Sequence, residues 1–304
     1  MLLLGSSIAW AVWPRTQLSR DSSAPLEIVT TTNFLTDAVR RVGGKHVRVT
    51  GLMGPGVDPH LYKATASDVD RLREADLVIA VGLYLEGNMQ HVLDDVAGSR
   101  PVVQAGERIP AEKLLAAPQG AAPREEHDPH VWFDVRLWKI VVDSVRDSLA
   151  KRDPEHAADY QRRAERYHGE LNRLDGEIRQ RLARIPPQRR VLVTSHDAFR
   201  YFGRAYGLDV LGIQGISTGD EATTADVERV ASTVARRGVP AVFVESSVSR
   251  QTLEAVLAAS RARGHALRIG GELYSDSAGA PGSPEGSYVG MLRANVDRLV
   301  AGLS

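Results

Sequence analysis

The sequence predicts an α/β protein of two Rossmann-like lobes, each a parallel four-stranded sheet flanked by helices, joined by one long rigid helix. Three observations carry this. Short β-branched or apolar runs alternate with helical stretches of ten or more residues, the pattern of parallel sheets covered by helices on both faces. The strand signals fall into two sets of four. Between the sets runs an unbroken apolar stripe at helical spacing, roughly 30 residues long.

In the first set the strand signals are LEIVTTT (26–32), HVRVTGLM (46–53), DLVIAVG (76–82) and PVVQA (101–105), with helical stretches near 34–42, 66–75 and 85–97. The second set is RVLVTS (190–195), LDVLGI (208–213), PAVFVES (240–246) and ALRIG (266–270). Its helical stretches lie near 197–206, 224–237, 249–263 and 286–303.

The connecting helix has a start signal, a stripe and a stop. Asp153 is placed to cap its N-terminus, with Pro154 at the first helical position and Glu155 in the first turn. Ala157, Tyr160, Ala164, Tyr167, Leu171, Leu174, Ile178, Leu182 and Ile185 follow at spacings of three and four, one face of one helix. Pro186-Pro187 ends it. At 1.5 Å per residue such a helix is about 45 Å long. Lying across both lobes, it would restrict any hinge between them. The expected organisation is an export signal or N-terminal anchor over 1–25, a first lobe over 26–152, the connecting helix over 153–186 and a second lobe over 187–304.

The N-terminal segment has its own logic. Leu2 to Trp13 is an uncharged apolar run of 12 residues followed by Pro14-Arg15. A bilayer span takes about 20 residues, so the run suits the apolar core of an export signal better than an anchor. Ser22-Ser23-Ala24 offers a cleavage site, although Pro25 disfavours it. The expectation is a periplasmic or extracellular protein. The chain has no cysteine, which excludes thiolate metal sites, disulfides and a lipid-bearing lipobox cysteine.

Lys+Arg and Asp+Glu number 38 each, so the formal net charge is zero. That balance leaves no electrostatic footprint for nucleic acid and no polybasic membrane patch. The informative residues are instead His60, His130, His196 and Asp276, spaced 65 to 80 residues apart and each near a strand signal or in the loop leading from one. Three imidazoles and a carboxylate suit a divalent transition metal. Drawn from both halves, they would place it between the lobes, where ligands sit beyond the carboxyl ends of parallel strands.

The surrounding motifs are GPGVDPHLYKATASDVDRLREADLVIAVG around His60, HDPHVWFDVRLW around His130, VLVTSHDAFRYFG around His196 and GGELYSDSAG around Asp276. Together they closely resemble the metal-binding solute-binding proteins of ABC importers for zinc, manganese or iron. The resemblance covers the chain from Leu26 onward. It implies two lobes joined by a long helix, a metal in the cleft, and a membrane permease with its cytoplasmic ATPase as partners of a monomeric carrier. Carried over residue by residue, the ligands it implies are His60, His130, His196 and Asp276. In both Asp-Pro-His units proline fixes φ and removes a donor, so a stiff loop presents each imidazole.

Around this set, Glu245 stands at the end of PAVFVES, as a hydrogen-bond partner of a ligand or as a cap of the next helix. Tyr62, Trp132 and Phe133 are expected to pack beside the site and keep it dry. His127 lies three before His130, in a proline-containing loop that opposes helical chelation. His46, His91, His156, His168 and His265 sit in no motif, and His156 and His168 fall off the long helix's stripe, toward solvent.

The identity of the ion is more finely balanced. In the resembled family the third ligand is histidine or glutamate, and glutamate accompanies manganese. Histidine at 196 gives an N3O set that prefers zinc by ligand softness. Dedicated zinc members often carry a His-rich loop before the second ligand, and 106–126 contains no histidine. The order of expectation is Zn2+, then Mn2+, then Fe2+. A secreted zinc hydrolase would need an open coordination position. Four protein ligands leave none, and no HExxH is present. A surface adhesion or structural role would leave the ligand set without purpose and is retained only as a secondary role.

Overall fold

Four parallel strands, β1 (Leu26–Thr30), β2 (Val47–Gly51), β3 (Leu77–Ala80) and β4 (Val102–Gln104), pair in the order β2-β1-β3-β4. Every residue of β3 is buried, and in β1 only Glu27 is not. Such continuous apolar runs are what a strand covered on both faces requires. The covers include α1 (Asn33–Gly43), α2 (Ala66–Glu74) and α3 (Gln90–Ala97). On α1 the buried Phe34, Leu35, Ala38, Val39 and Val42 recur at helical spacing. Thr65 and Asp68 start α2 with a reciprocal capping box. This computed structural model describes residues 24–118 and 121–304; the apolar run at 2–13 and Ser22-Ser23 lie outside the described residues.

One 18-residue helix, α4 (Val135–Arg152), lies where the strand and helix signals assign none. Its buried Trp138, Val141, Val142, Val145 and Leu149 follow the same spacing, and Asp134 caps it by accepting the Arg136 N–H. The connecting helix follows as α5 (Ala157–Leu182), 26 residues and about 39 Å long. Its stripe from Tyr160 to Leu182 is buried, and Ile185 beyond it is buried too. A 3-10 turn, Pro154–His156, precedes it. The Asp153 side chain makes no cap to the backbone; it accepts the Tyr160 hydroxyl at 2.6 Å and lies 2.8 Å from His156 Nδ1. The imidazoles expected in solvent have partners as well. His156 stacks on His46 with ring centroids 3.8 Å apart, and His168 Nε2 lies 3.4 Å from Asp143.

The second lobe holds β5 (Val191–Thr194), β6 (Asp209–Gly212), β7 (Ala241–Glu245) and β8 (Arg268–Leu273). Its helices are α6 (Arg200–Tyr206), α7 (Thr224–Arg237), α8 (Gln251–Ala262) and α9 (Tyr288–Leu303). The strands hydrogen-bond as two parallel pairs, β5–β6 and β7–β8, with β5 beside β7. The spatial order β6-β5-β7-β8 thus repeats that of the first lobe. Where a continuous four-stranded sheet is expected, the seam between β5 and β7 carries no ladder. Just past that seam the His196 N–H donates to the Glu245 side chain instead of to a strand.

Helix α5 packs on α1 and α4 of the first lobe and on α6 and α9 of the second. One apolar core runs through all of them, from Leu26 and Phe34 by way of Leu171 to Tyr288 and Leu303. Arg41 pairs with Glu170 at 2.7 Å and Arg293 with Glu177 at 2.8 Å, fastening both lobes to the same helix. Separating the lobes would expose this core, so large hinge opening is opposed by the hydrophobic effect itself.

Candidate metal centre

The two Asp-Pro-His units fold alike. Asp58 Oδ1 accepts the His60 N–H at 2.9 Å, and Asp128 Oδ1 accepts the His130 N–H at 3.0 Å. Each aspartate thus closes a side-chain turn over its proline and aims the imidazole that follows. The units then diverge. Asp128 Oδ1 also lies 2.8 Å from His130 Nδ1, whereas the second oxygen of Asp58 accepts the Thr218 hydroxyl at 2.5 Å. His130 is further fixed through Asp128, whose carbonyl accepts the Tyr201 hydroxyl at 2.9 Å.

In the second lobe His196 stands just past β5 and Asp276 just past β8. Glu245, the last residue of β7, grips His196 twice. Its Oε1 accepts the backbone N–H at 2.8 Å, and its Oε2 lies 2.6 Å from Nδ1. At Gly212, the end of β6, the chain passes so close that a methyl group would fall 2.6 Å from the Asp197 nitrogen. The Asp276 segment is held from the first lobe. Trp132 Nε1 donates to the Ser275 carbonyl at 3.0 Å, and the Asn33 amide makes two 2.8 Å bonds to the Ala278 backbone.

These supports bring four side chains to one point. His130 Nε2 lies 3.3 Å from both His60 Nε2 and His196 Nε2. The Asp276 oxygens divide between the imidazoles, Oδ1 at 3.5 Å from His130 Nε2 and Oδ2 at 3.3 Å from His196 Nε2. One donor atom from each of the four residues falls within 4.8 Å of all the others, and all four side chains are buried. Asp276 Oδ1 has no polar neighbour nearer than the His130 imidazole at 3.5 Å. A buried carboxylate is costly unless a positive charge, a metal ion or an imidazolium, meets it. At zinc–nitrogen distances of 2.0–2.1 Å a tetrahedron has edges of about 3.3–3.4 Å, and the two His130 Nε2 spacings to His60 and His196, 3.3 Å each, match such edges. With Asp128 bonded to Nδ1 of His130 and Glu245 2.6 Å from Nδ1 of His196, the Nε2 atoms of both rings are the ones turned to the centre. The four residues could therefore hold a metal ion.

In the metal-free protein, electrostatics favour protons on two of the three imidazoles. Burial works to lower the His130 pKa, but Asp128 and Asp276 outweigh it and raise it to about 9. The same contest, with Glu245 and Asp276 opposing burial, holds His196 well above the imidazole range. Burial, reinforced by the neighbouring imidazoles, drives His60 down to about 3. Against its own burial, the imidazoles beside Asp276 hold it well below the usual carboxylate range. Protons and a metal cation are alternative occupants of the same nitrogens.

The remaining sequence-based candidates sort differently. Glu245 takes the hydrogen-bonding position rather than capping α8, whose N-cap residue is Arg250. Trp132 lies beside the site, its ring centroid 5.1 Å from that of His130. Phe133 packs on Phe199 at 4.2 Å, and Tyr62 turns away to bond Asp68 at 2.8 Å. His127 is outside the cluster and bridges Ala116 in an isolated antiparallel pair. Sequence reasoning missed Asp128, although its signal was present as the carboxylate two residues before each Asp-Pro-His imidazole.

Two parallel α/β lobes on one helical core, with three imidazoles and a carboxylate converging from both, define a solute-binding protein of the metal-importing ABC transporters. The model of the family described as "ZnuA: Zinc-uptake complex component A periplasmic" matches residues 28–302, and the chain belongs to that family. It is 46% identical over 289 residues to the zinc-binding protein TroA of Treponema pallidum (strain Nichols), covering 94% of this chain and 92% of the relative. It is 41% identical over 305 residues to the manganese-binding lipoprotein MntA of Bacillus subtilis (strain 168), covering 99% and 98%. The solved structure of the periplasmic zinc-binding protein TroA from Treponema pallidum matches with a TM-score of 0.88, covering 92% of this chain and 100% of that one. By family the chain is a binding component and not an enzyme.

Proposed function

We propose that this chain captures a divalent transition metal ion outside the cytoplasm and delivers it to an ABC permease whose ATPase drives import. His60, His130, His196 and Asp276 are the proposed ligands, two from each lobe, with Asp128 and Glu245 holding two of the imidazoles in the metallating tautomer. The observation that carries the reading is the convergence of one donor atom from each of three imidazoles and one carboxylate, all buried, within 4.8 Å of one another. The shared core of the lobes favours a nearly preformed site, so loading requires loop movement more than hinge closure.

Zinc is the proposed ion, on the N3O donor set and the 3.3–3.5 Å spacings. Manganese is the second reading, supported by the 41% identity to a protein named for manganese binding. Export through the N-terminal segment and a monomeric carrier complete the proposal. Competition between zinc and manganese for metal-free protein, read by elemental analysis, tests it. One ion per chain with zinc displacing manganese is expected. Manganese displacing zinc reverses the preference, and a chain that retains neither ion overturns the capture reading.

A further inference from the structure

The divergence between the two Asp-Pro-His units points to a residue that governs one ligand from a distance. Three of the four converging side chains have a polar partner of their own. His130 has Asp128, His196 has Glu245, and Asp276 Oδ2 lies 3.3 Å from the Ser247 hydroxyl. Among the described residues, His60 has outside the cluster only the backbone bond to Asp58. It is also the least buried of the four at 6% exposure, and the next residue, Leu61, is 46% exposed, the more open of the two large apolar side chains at the surface of the described residues. The segment carrying His60 is thus the wall between the site and solvent.

That wall belongs to the first lobe but is tied to the second at two points. The Gly56 N–H donates to Ser277 Oγ at 2.9 Å. The Thr218 hydroxyl donates to Asp58 Oδ2 at 2.5 Å, while Oδ1 of the same carboxylate holds the His60 N–H. Thr218 lies in the segment between β6 and α7, which has no regular structure over 213–223. One aspartate therefore joins a strap from the second lobe to the backbone of a first-lobe ligand.

We propose that Thr218 is a positioning residue for His60, a latch that acts through Asp58 and sets how readily the 54–61 wall opens. The proposal rests on the metal-capture reading for its purpose but not for its geometry. Removing the Thr218 donor frees one Asp58 oxygen, loosens the turn over Pro59 and lets His60 swing from the centre, while the ligands and their carboxylate partners are untouched. The latch accordingly governs the rate of ion loss more than the composition of the site.

The test compares Thr218→Val, which keeps the shape and loses the donor, with Thr218→Ser, which keeps the donor. In metal-free protein, hydrogen exchange over 54–61 is expected to quicken at least tenfold in T218V and to return to within about twofold of wild type in T218S. In zinc-loaded protein mixed with excess chelator, zinc loss is expected to follow the same order. Exchange in T218V equal to wild type, or T218S as fast as T218V, overturns the latch. A wild-type chain that holds neither zinc nor manganese overturns the capture reading instead, and the exchange measurement still decides the latch.

Discussion

Glu245 Oε2 lies 2.6 Å from His196 Nδ1, while Oε1 of the same carboxylate accepts the His196 backbone N–H at 2.8 Å. One side chain thereby fixes the position, rotation and tautomer of one imidazole. Glu245→Gln keeps the backbone contact but replaces the anionic acceptor at Nδ1. Removing such an outer partner lowers metal affinity about 10–100-fold in comparable sites. That loss, measured by chelator competition with the metal-free melting temperature little changed, is the expected result. Unchanged affinity would show that His196 needs no anchor.

Asp276 is expected to matter more, and in two ways. Asp276→Ala removes the only carboxylate among the four, and zinc affinity should fall at least 100-fold, on the order of 3 kcal/mol. The same carboxylate helps to raise His130. In metal-free D276A, NMR titration should therefore place the His130 imidazole below its wild-type value. An unmoved His130 would mean that Asp128 alone sets it.

Dependence on pH follows from the same groups. His130, raised to about 9, contributes stability to the metal-free fold that is full below the ordinary imidazole value of 6.5 and is lost as pH rises through 9. His196, raised further, acts in the same direction. Asp276, depressed, contributes stability above the usual carboxylate value that is lost only in acid. The metal-free protein should thus melt higher at pH 6 than at pH 9. Zinc affinity should run the other way, climbing from pH 6 to pH 9 as protons leave Nε2-facing imidazoles. His60, held near 3, releases no proton over that range. Calorimetry in buffers of different ionisation enthalpy counts the released protons, and none released at pH 7 would contradict the assignment.

Leu171 sits fully buried in the middle of α5, within the core shared by both lobes. Leu171→Ala should cost about 2–5 kcal/mol. Because the core is continuous, unfolding should remain a single transition seen together by hydrogen exchange in β1 and in β7. Two separated transitions would show that the lobes are independent units.

Why some of this was legible in sequence and some was not has physical reasons. The α5 stripe could be read because burial along one face imposes a 3.6-residue period that no other constraint interrupts. The central strands β3 and β5 could be read because burial of every residue leaves them apolar or β-branched. Helix α4 carries an equally clear period at Trp138, Val141, Val145 and Leu149 but follows directly on an Asp-Pro-His motif, where the chemistry of His130 masks the helix behind it. The split between β5 and β7 was not legible, since it depends on where one N–H turns toward Glu245. The pairing of Asp58 with Thr218 across 160 residues has no local signature at all. Leu83 and Tyr84 are left-handed at φ 55° and 64°; the buried Glu86 beside them accepts from the Val81 and Gly82 N–H groups and, across 55 residues, from the Thr31 hydroxyl.

The exchange of His196 for glutamate tests how far the ion preference is local. An oxygen donor there moves the set toward the harder ligands that manganese favours. In this chain, however, Glu245 would then face a second buried carboxylate in place of a protonated Nδ1, and like charges at such distances cannot both stay ionised. His196→Glu alone should therefore lower the metal-free melting temperature and bind zinc weakly without gaining manganese. Adding Glu245→Gln relieves the repulsion by offering an amide donor to the new carboxylate. The double variant should recover the melting temperature of E245Q and shift the zinc-to-manganese affinity ratio toward manganese by tenfold or more. Manganese binding by H196E alone, with stability intact, would show that Glu245 can rotate away and that its grip on position 196 is not what fixes the donor there.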